Sequence, residues 1–136
     1  MRAVLDTNIF VSAMLSTLGP PARIIDAWQA GRFELVTSAA QIDEFKRSLR
    51  YDRLRPYVSR SAAGRIVNGL RARAVVLKRL RIGVEAPDPG DAHLVATALA
   101  SGADFLVTGD EALLAMKRVG TTRVISARDF AATLAR

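Results

Sequence analysis

Val4-Leu5-Asp6-Thr7-Asn8 joins one apolar run, Ala3-Val4-Leu5, to another, Ile9-Phe10-Val11, through a carboxylate and two small polar residues. The first run has the length of a short buried strand, and the second resumes the apolar character as a helix. Thr7 and Asn8 suit the corner between them, because their side chains can satisfy free backbone N–H groups at a helix start. Asp6 then stands at the carboxyl end of a buried strand. Taken alone it reads equally well as a helix cap. The same kind of placement recurs at Asp91, ahead of Leu94-Val95-Ala96, and at Asp110, after a two-residue turn that follows Phe105-Leu106-Val107.

Outward from that corner, Gly19-Pro20-Pro21 marks a break, and Ile24, Ile25 and Trp28 recur at helical spacing up to Gly31. Pro21 suits a first helical turn, and Trp28 reads as core. Phe33 to Val36 forms a second strand, and Thr37 or Ser38 caps a helix that turns Ile42, Phe45 and Leu49 inward. After Pro56, Ser59 or Ser61 starts a helix with Ile66, Val67 and Leu70 as its stripe, and residues 74–77 form a third, weak strand. The segment from Asp91 to Ser101 is apolar almost all round, which implies a helix buried against a sheet, and Gly102 closes it. Phe105-Leu106-Val107 is a fourth strand, a helix follows from Glu111 to about Lys117, and Arg123-Val124-Ile125 is a fifth strand. Ser126 caps a last helix carrying Phe130 and Leu134 inward. Strands alternating with helices predict an α/β domain spanning 1–136, with a mainly parallel sheet of about five strands covered by helices.

In an open parallel sheet, functional groups gather beyond the carboxyl ends of the strands. Asp6, Asp91 and Asp110 come from distant parts of the chain and are expected to meet on that edge. Two unit charges about 4 Å apart repel by roughly 4 kcal/mol at an effective dielectric of about 20. Several carboxylates together therefore call for a cation among them. Hard divalent ions such as Mg²⁺ or Mn²⁺ take oxygen ligands of this kind. With no cysteine and one histidine, zinc is a poor match. Such a metal can activate water and stabilise charge on a phosphodiester under attack. Asp88-Pro89-Gly90-Asp91 also has the layout of a helix cap with a first-turn proline, and a helix N-terminus favours an ionised Asp91 in either case. On the helix of Ile42 and Phe45, Asp43 and Glu44 both lie off the inward face, and periodicity does not choose between them. His93 reads as a surface or packing residue at a helix start.

Charge supplies the partner. Between Lys46 and Arg81 twelve lysines and arginines face a single acid, Asp52, a net of +11, whereas the rest of the chain sums to −4. That split favours an anionic polymer held by the middle segment, with the acids kept for another task. The absence of cysteine excludes disulfides and thiolate chemistry and suits a reducing cytoplasm. No apolar run approaches the roughly 20 residues of a membrane helix, and Asp6 and Asn8 interrupt any signal-peptide core. The expectation is a cytoplasmic protein with no membrane partner.

Asp6-Thr7-Asn8 after Ala3-Val4-Leu5, Glu44-Phe45 followed by Leu49, Asp91 leading Leu94-Val95-Ala96-Thr97-Ala98, and Thr108-Gly109-Asp110-Glu111-Ala112-Leu113-Leu114 together resemble a PIN domain. Within that superfamily they are most similar to the VapC-like ribonucleases, toxin components of toxin–antitoxin pairs. The resemblance implies a three-layer PIN-like fold and an endoribonuclease dependent on Mg²⁺ or Mn²⁺. It assigns Asp6, Glu44, Asp91 and Asp110 as an acidic quartet, so it selects Glu44 over Asp43. Asn8, Ser12 and Thr108 match supporting polar positions, and Asp88 matches an additional acid whose role is less defined. Relatives often carry further acids where this chain has Pro89-Gly90. The resemblance also implies an antitoxin partner and a homodimer. Two other classes compete: a catalytically silent RNA-binding or regulatory module on the same fold, and an α/β phosphatase. The phosphatase usually needs a second aspartate two positions after the first, where this chain has Asn8.

Overall fold

A computed structural model of the chain describes residues 1–51, 53–81 and 83–136. Asp52, the one acid counted within the basic segment, lies outside the described residues. The sheet is six-stranded in the order β3-β2-β1-β4-β6-β5. Its strands are β1 (Arg2–Leu5), β2 (Glu34–Ser38), β3 (Val75–Leu77), β4 (Phe105–Val107), β5 (Arg118–Val119) and β6 (Thr122–Ile125). All neighbours run parallel except β5 and β6. The helices are α1 (Thr7–Leu15), α2 (Pro20–Gln29), α3 (Ala39–Ser48), α4 (Arg60–Arg73), α5 (Ala92–Ser101), α6 (Glu111–Met116) and α7 (Ala127–Leu134).

Side chains alternate across a strand, so neighbouring residues of one strand feed opposite cores. Ala3 and Leu5 of β1 join Leu35 and Val107 on one face, packed against Phe10, Ile24, Trp28, Phe45, Leu70 and Phe130 from α1, α2, α3, α4 and α7. Val4 points the other way, with Val36, Leu106 and Val124, against Leu94, Val95 and Ala98 of α5 and Leu113 of α6. Helices, sheet and helices make the three layers that the alternation predicts. Serine caps act where expected, with Ser38, Ser59 and Ser126 accepting from Gln41, Ala62 and Asp129 backbone N–H groups.

The sheet has one strand more than the sequence suggests. β5 is two residues long and pairs only with β6, so it leaves no apolar run to detect. Its signal is Gly120-Thr121, a two-residue connection with glycine at φ 59° in first position, which is hairpin chemistry. The weak third strand forms as expected and pairs with β2 at the sheet edge. The helix predicted to open at Asp91 instead begins as a 3-10 turn over Pro89–Asp91, and α5 proper starts at Ala92. Among the described residues, no helix is long and apolar enough to cross a membrane.

Candidate active site

β1 lies at the centre, with the chain winding outward to β2 and β3 on one side and to β4 and β6 on the other. The connections diverge beyond the carboxyl ends of β1 and β4, where an open α/β sheet makes its crevice. Asp6 follows β1, with its backbone N–H donating to the Val107 carbonyl at 2.9 Å. Thr108 follows β4 and is held by an N–H bond to Ile125 at 3.0 Å. Asp6 and Thr108 are thereby neighbours across the pair β1–β4.

Asp6 is only 7 % exposed. Its Oδ1 accepts the Asn8 N–H at 3.4 Å, as a helix cap does, and its Oδ2 accepts the Thr108 hydroxyl at 2.7 Å. That hydroxyl in turn accepts the Asp110 N–H at 3.0 Å, so one fully buried threonine orients two of the acids. Burial pushes the Asp6 carboxyl above its usual range, Thr108 and Asn8 pull it back, and Glu44 and Asp110 push it up again. Asp110 caps α6 through Oδ1 and the Ala112 N–H at 2.8 Å. Asp88 caps the 3-10 turn through Oδ1 and the Gly90 N–H at 2.8 Å.

Asp91 differs from the rest. It caps nothing with its side chain, and its carboxylate has no hydrogen-bond partner among the described residues. Its pKa is raised from 3.8 to about 6, by partial burial first and then by Asp6, Asp110, Asp88 and Glu44. Five acids thus act on one another electrostatically on the carboxyl edge. Glu44 takes the Thr7 hydroxyl on Oε2 at 3.2 Å, and the same oxygen lies 2.7 Å from His93 Nε2. Asp43 is exposed and has no such contact. Asn8 and Ser12 are exposed, and neither side chain hydrogen-bonds to an acid among the described residues.

Two residues in this region carry more than their sequence context suggests. Gln41 is buried and donates through its amide to the Leu5 carbonyl, while accepting the Thr37 hydroxyl at 2.8 Å. It thereby ties α3, which carries Glu44, to the strand end that carries Asp6. A polar residue at the helical position four before Phe45, on the inward stripe, is the signal that could have found it. His93, read from the sequence as a surface or packing residue, is partly buried and holds Glu44.

The donor set suits a hard cation, since every acid here offers oxygen and their charges oppose one another. Among the described residues, however, no three acidic or imidazole groups stand together as a ready ligand set. Like charges without a counter-ion have reason to keep apart.

The PIN-domain family model matches residues 2–112. The chain is a PIN domain. That match runs from β1 into α6 and includes all four acids of the expected quartet. PIN domains are generally nucleases and generally use divalent metals. Comparison with curated proteins gives no match. Among solved structures, the fold is similar to a chain in the crystal structure of VapBC2 from Rickettsia felis bound to a DNA fragment from their promoter. The likeness has a TM-score of 0.61 at 16 % identity and covers 93 % of this PIN domain and 98 % of that chain. At such identity it speaks for the fold.

Proposed function

We propose that this PIN domain, acting as one unit over 1–136, is a metal-dependent endoribonuclease that hydrolyses RNA phosphodiester bonds in the cytoplasm. The observation that carries the reading is the electrostatic influence of Asp6, Glu44 and Asp110 on Asp91. Its carboxylate has no hydrogen-bond partner among the described residues, and its proton affinity is raised by partial burial and then by these acids. Asp6 and Asp91 would hold the principal Mg²⁺ or Mn²⁺, with Asp110 and Glu44 completing the donor set and Asp88 adding negative charge nearby. When bound, the ion would lower the pKa of water and stabilise charge on the phosphate.

The protein's own contribution is orientation. Thr108 fixes Asp6 and Asp110 relative to each other. Burial raises the Asp6 carboxyl's proton affinity, while the Thr108 hydroxyl and the Asn8 N–H offset part of that rise. The RNA backbone would lie against the basic segment, whose described arginines are all exposed from Arg47 to Arg81. Phosphate contacts of that kind give affinity without base selection. Asn8 and Ser12, exposed near the same edge, are free to meet waters or RNA.

The toxin role, with an antitoxin partner and a homodimer, is supported by the sequence resemblance and by the fold likeness to a chain of the Rickettsia felis VapBC2 structure. The test is cleavage of RNA by the wild-type chain and by Asp6→Asn, with Mg²⁺, with Mn²⁺ and with a chelator. Cleavage should need the metal and vanish in Asp6→Asn while the fold is retained. Chelator-insensitive cleavage, or full activity of the variant, would overturn the assignment. RNA binding with no cleavage under any condition would favour the silent regulatory module.

A further inference from the structure

We infer that Thr7 and His93 are positioning residues that clasp Glu44 by one carboxylate oxygen, so that the other is the oxygen presented to a divalent cation. The inference rests on the metal-site reading above. Glu44 projects from the middle of α3 on a long side chain that is 39 % exposed, and nothing in its own helix fixes it. Two groups from other elements do. The Thr7 hydroxyl donates to Oε2 at 3.2 Å, and His93 Nε2 reaches the same oxygen at 2.7 Å. Oε1 has no partner among the described residues.

The two holders are placed beside the other acids. Thr7 is the first residue of α1, next to Asp6, and His93 is the second residue of α5, two beyond Asp91. One glutamate oxygen therefore links the starts of α1 and α5 through α3, and the clasp sets Glu44 relative to both aspartates. His93 makes little sense as a packing residue. Its side chain is 18 % exposed, yet its Nδ1 is buried with no hydrogen-bond partner among the described residues. Burying a ring nitrogen unsatisfied is a cost, and such a group in a folded protein calls for an explanation. Among the described residues, the one polar contact of the imidazole is with Glu44 Oε2, with Nε2 as the donor. Partners that hydrogen-bond to a metal-binding carboxylate orient it, and their loss weakens metal affinity about 10- to 100-fold.

The test measures Mn²⁺ binding by the full chain, from the loss of the free-ion electron paramagnetic resonance signal, so it does not depend on cleavage. His93→Ala should weaken Mn²⁺ binding by about 10-fold or more. His93→Gln, which returns an N–H donor at similar reach, should recover most of the loss. In a Glu44→Gln background, His93→Ala should have little further effect, because coupled residues are not additive. Wild-type Mn²⁺ binding in His93→Ala, or an equal loss with and without Glu44, would overturn the clasp while leaving the metal site standing. If His93→Ala fails to fold, Thr7→Val decides the same question, and unchanged Mn²⁺ binding there would overturn it. A wild-type chain that binds no Mn²⁺ would instead overturn the metal-site reading, and the inference with it.

Discussion

Replacing Asp91 with asparagine removes a charge and almost no volume, and it should make the metal-free protein more stable. The Asp91 carboxyl is pushed from 3.8 to about 6 by partial burial and by repulsion from Asp6, Asp110, Asp88 and Glu44. Taken whole, that rise in proton affinity corresponds to roughly 3 kcal/mol, at about 1.36 kcal/mol per tenfold change. The group is only partly buried, so solvent screening reduces the figure to about 1–2 kcal/mol. The folded chain binds this proton more tightly than the unfolded chain does. Its contribution is therefore fully present below about pH 4 and is lost as pH rises through about 6. Urea unfolding in a chelator should show Asp91→Asn ahead of wild type by about 1–2 kcal/mol near pH 7.5, with the gap closing toward pH 4. Added Mg²⁺ should then stabilise wild type by mass action and leave the variant nearly unmoved. A variant less stable than wild type in the chelator near pH 7.5, or a gap that does not change with pH, would refute the reasoning.

Two further substitutions probe what holds the crevice and what sits behind it. Gln41→Leu leaves the buried Leu5 carbonyl and Thr37 hydroxyl without their partner, and the urea midpoint should fall by an amount equivalent to about 2–4 kcal/mol. A change under about 0.5 kcal/mol would mean that this network is not what ties α3 to β1. Gly69→Ala should also destabilise, against the usual gain of about 1 kcal/mol for alanine over glycine in a helix. The new Cβ would lie 3.0 Å from the ring of Trp28, which is itself buried. Overpacking of that kind costs about 1–3 kcal/mol. A raised melting temperature in Gly69→Ala would show that Trp28 gives way.

The layers of this fold were legible because each strand except β5 leaves a short apolar run, and most helices have an apolar stripe with a capping residue ahead of it. β5 was not, since two residues beside a turn carry no pattern of their own. The acids at strand ends could be read as converging because the carboxyl edge of a parallel sheet collects them, whatever their distance in sequence. Glu44 could not be read that way. It lies off the inward stripe, and what separates it from Asp43 is a hydroxyl on α1 and an imidazole on α5, contacts between elements that periodicity along α3 does not register. Gln41 shows the converse: a polar residue on an apolar stripe can be seen in sequence, but its partner, a carbonyl at the end of β1, cannot.

Asp6, Asp88 and Asp110 cap helix or turn starts and also act electrostatically on Asp91, and the state of each oxygen shows how. Asp6 has both oxygens engaged, one by the Asn8 N–H and one by Thr108, and these donors pull its carboxyl down against burial. Asp110 and Asp88 each give one oxygen to a backbone N–H at a helix or turn start. Glu44 gives one oxygen to Thr7 and His93. Backbone N–H groups at a helix start carry partial positive charge, so a capping bond holds a carboxylate in its ionised form as well as fixing its direction. Four of the five acids on this edge thus have a donor among the described residues. Asp91 receives none from the described residues, and partial burial followed by repulsion from Asp6, Asp110, Asp88 and Glu44 raises its proton affinity. Asp91 is thus the acid of this group with no donor among the described residues, which makes it the one whose neutralisation should best mimic a bound cation in its effect on stability.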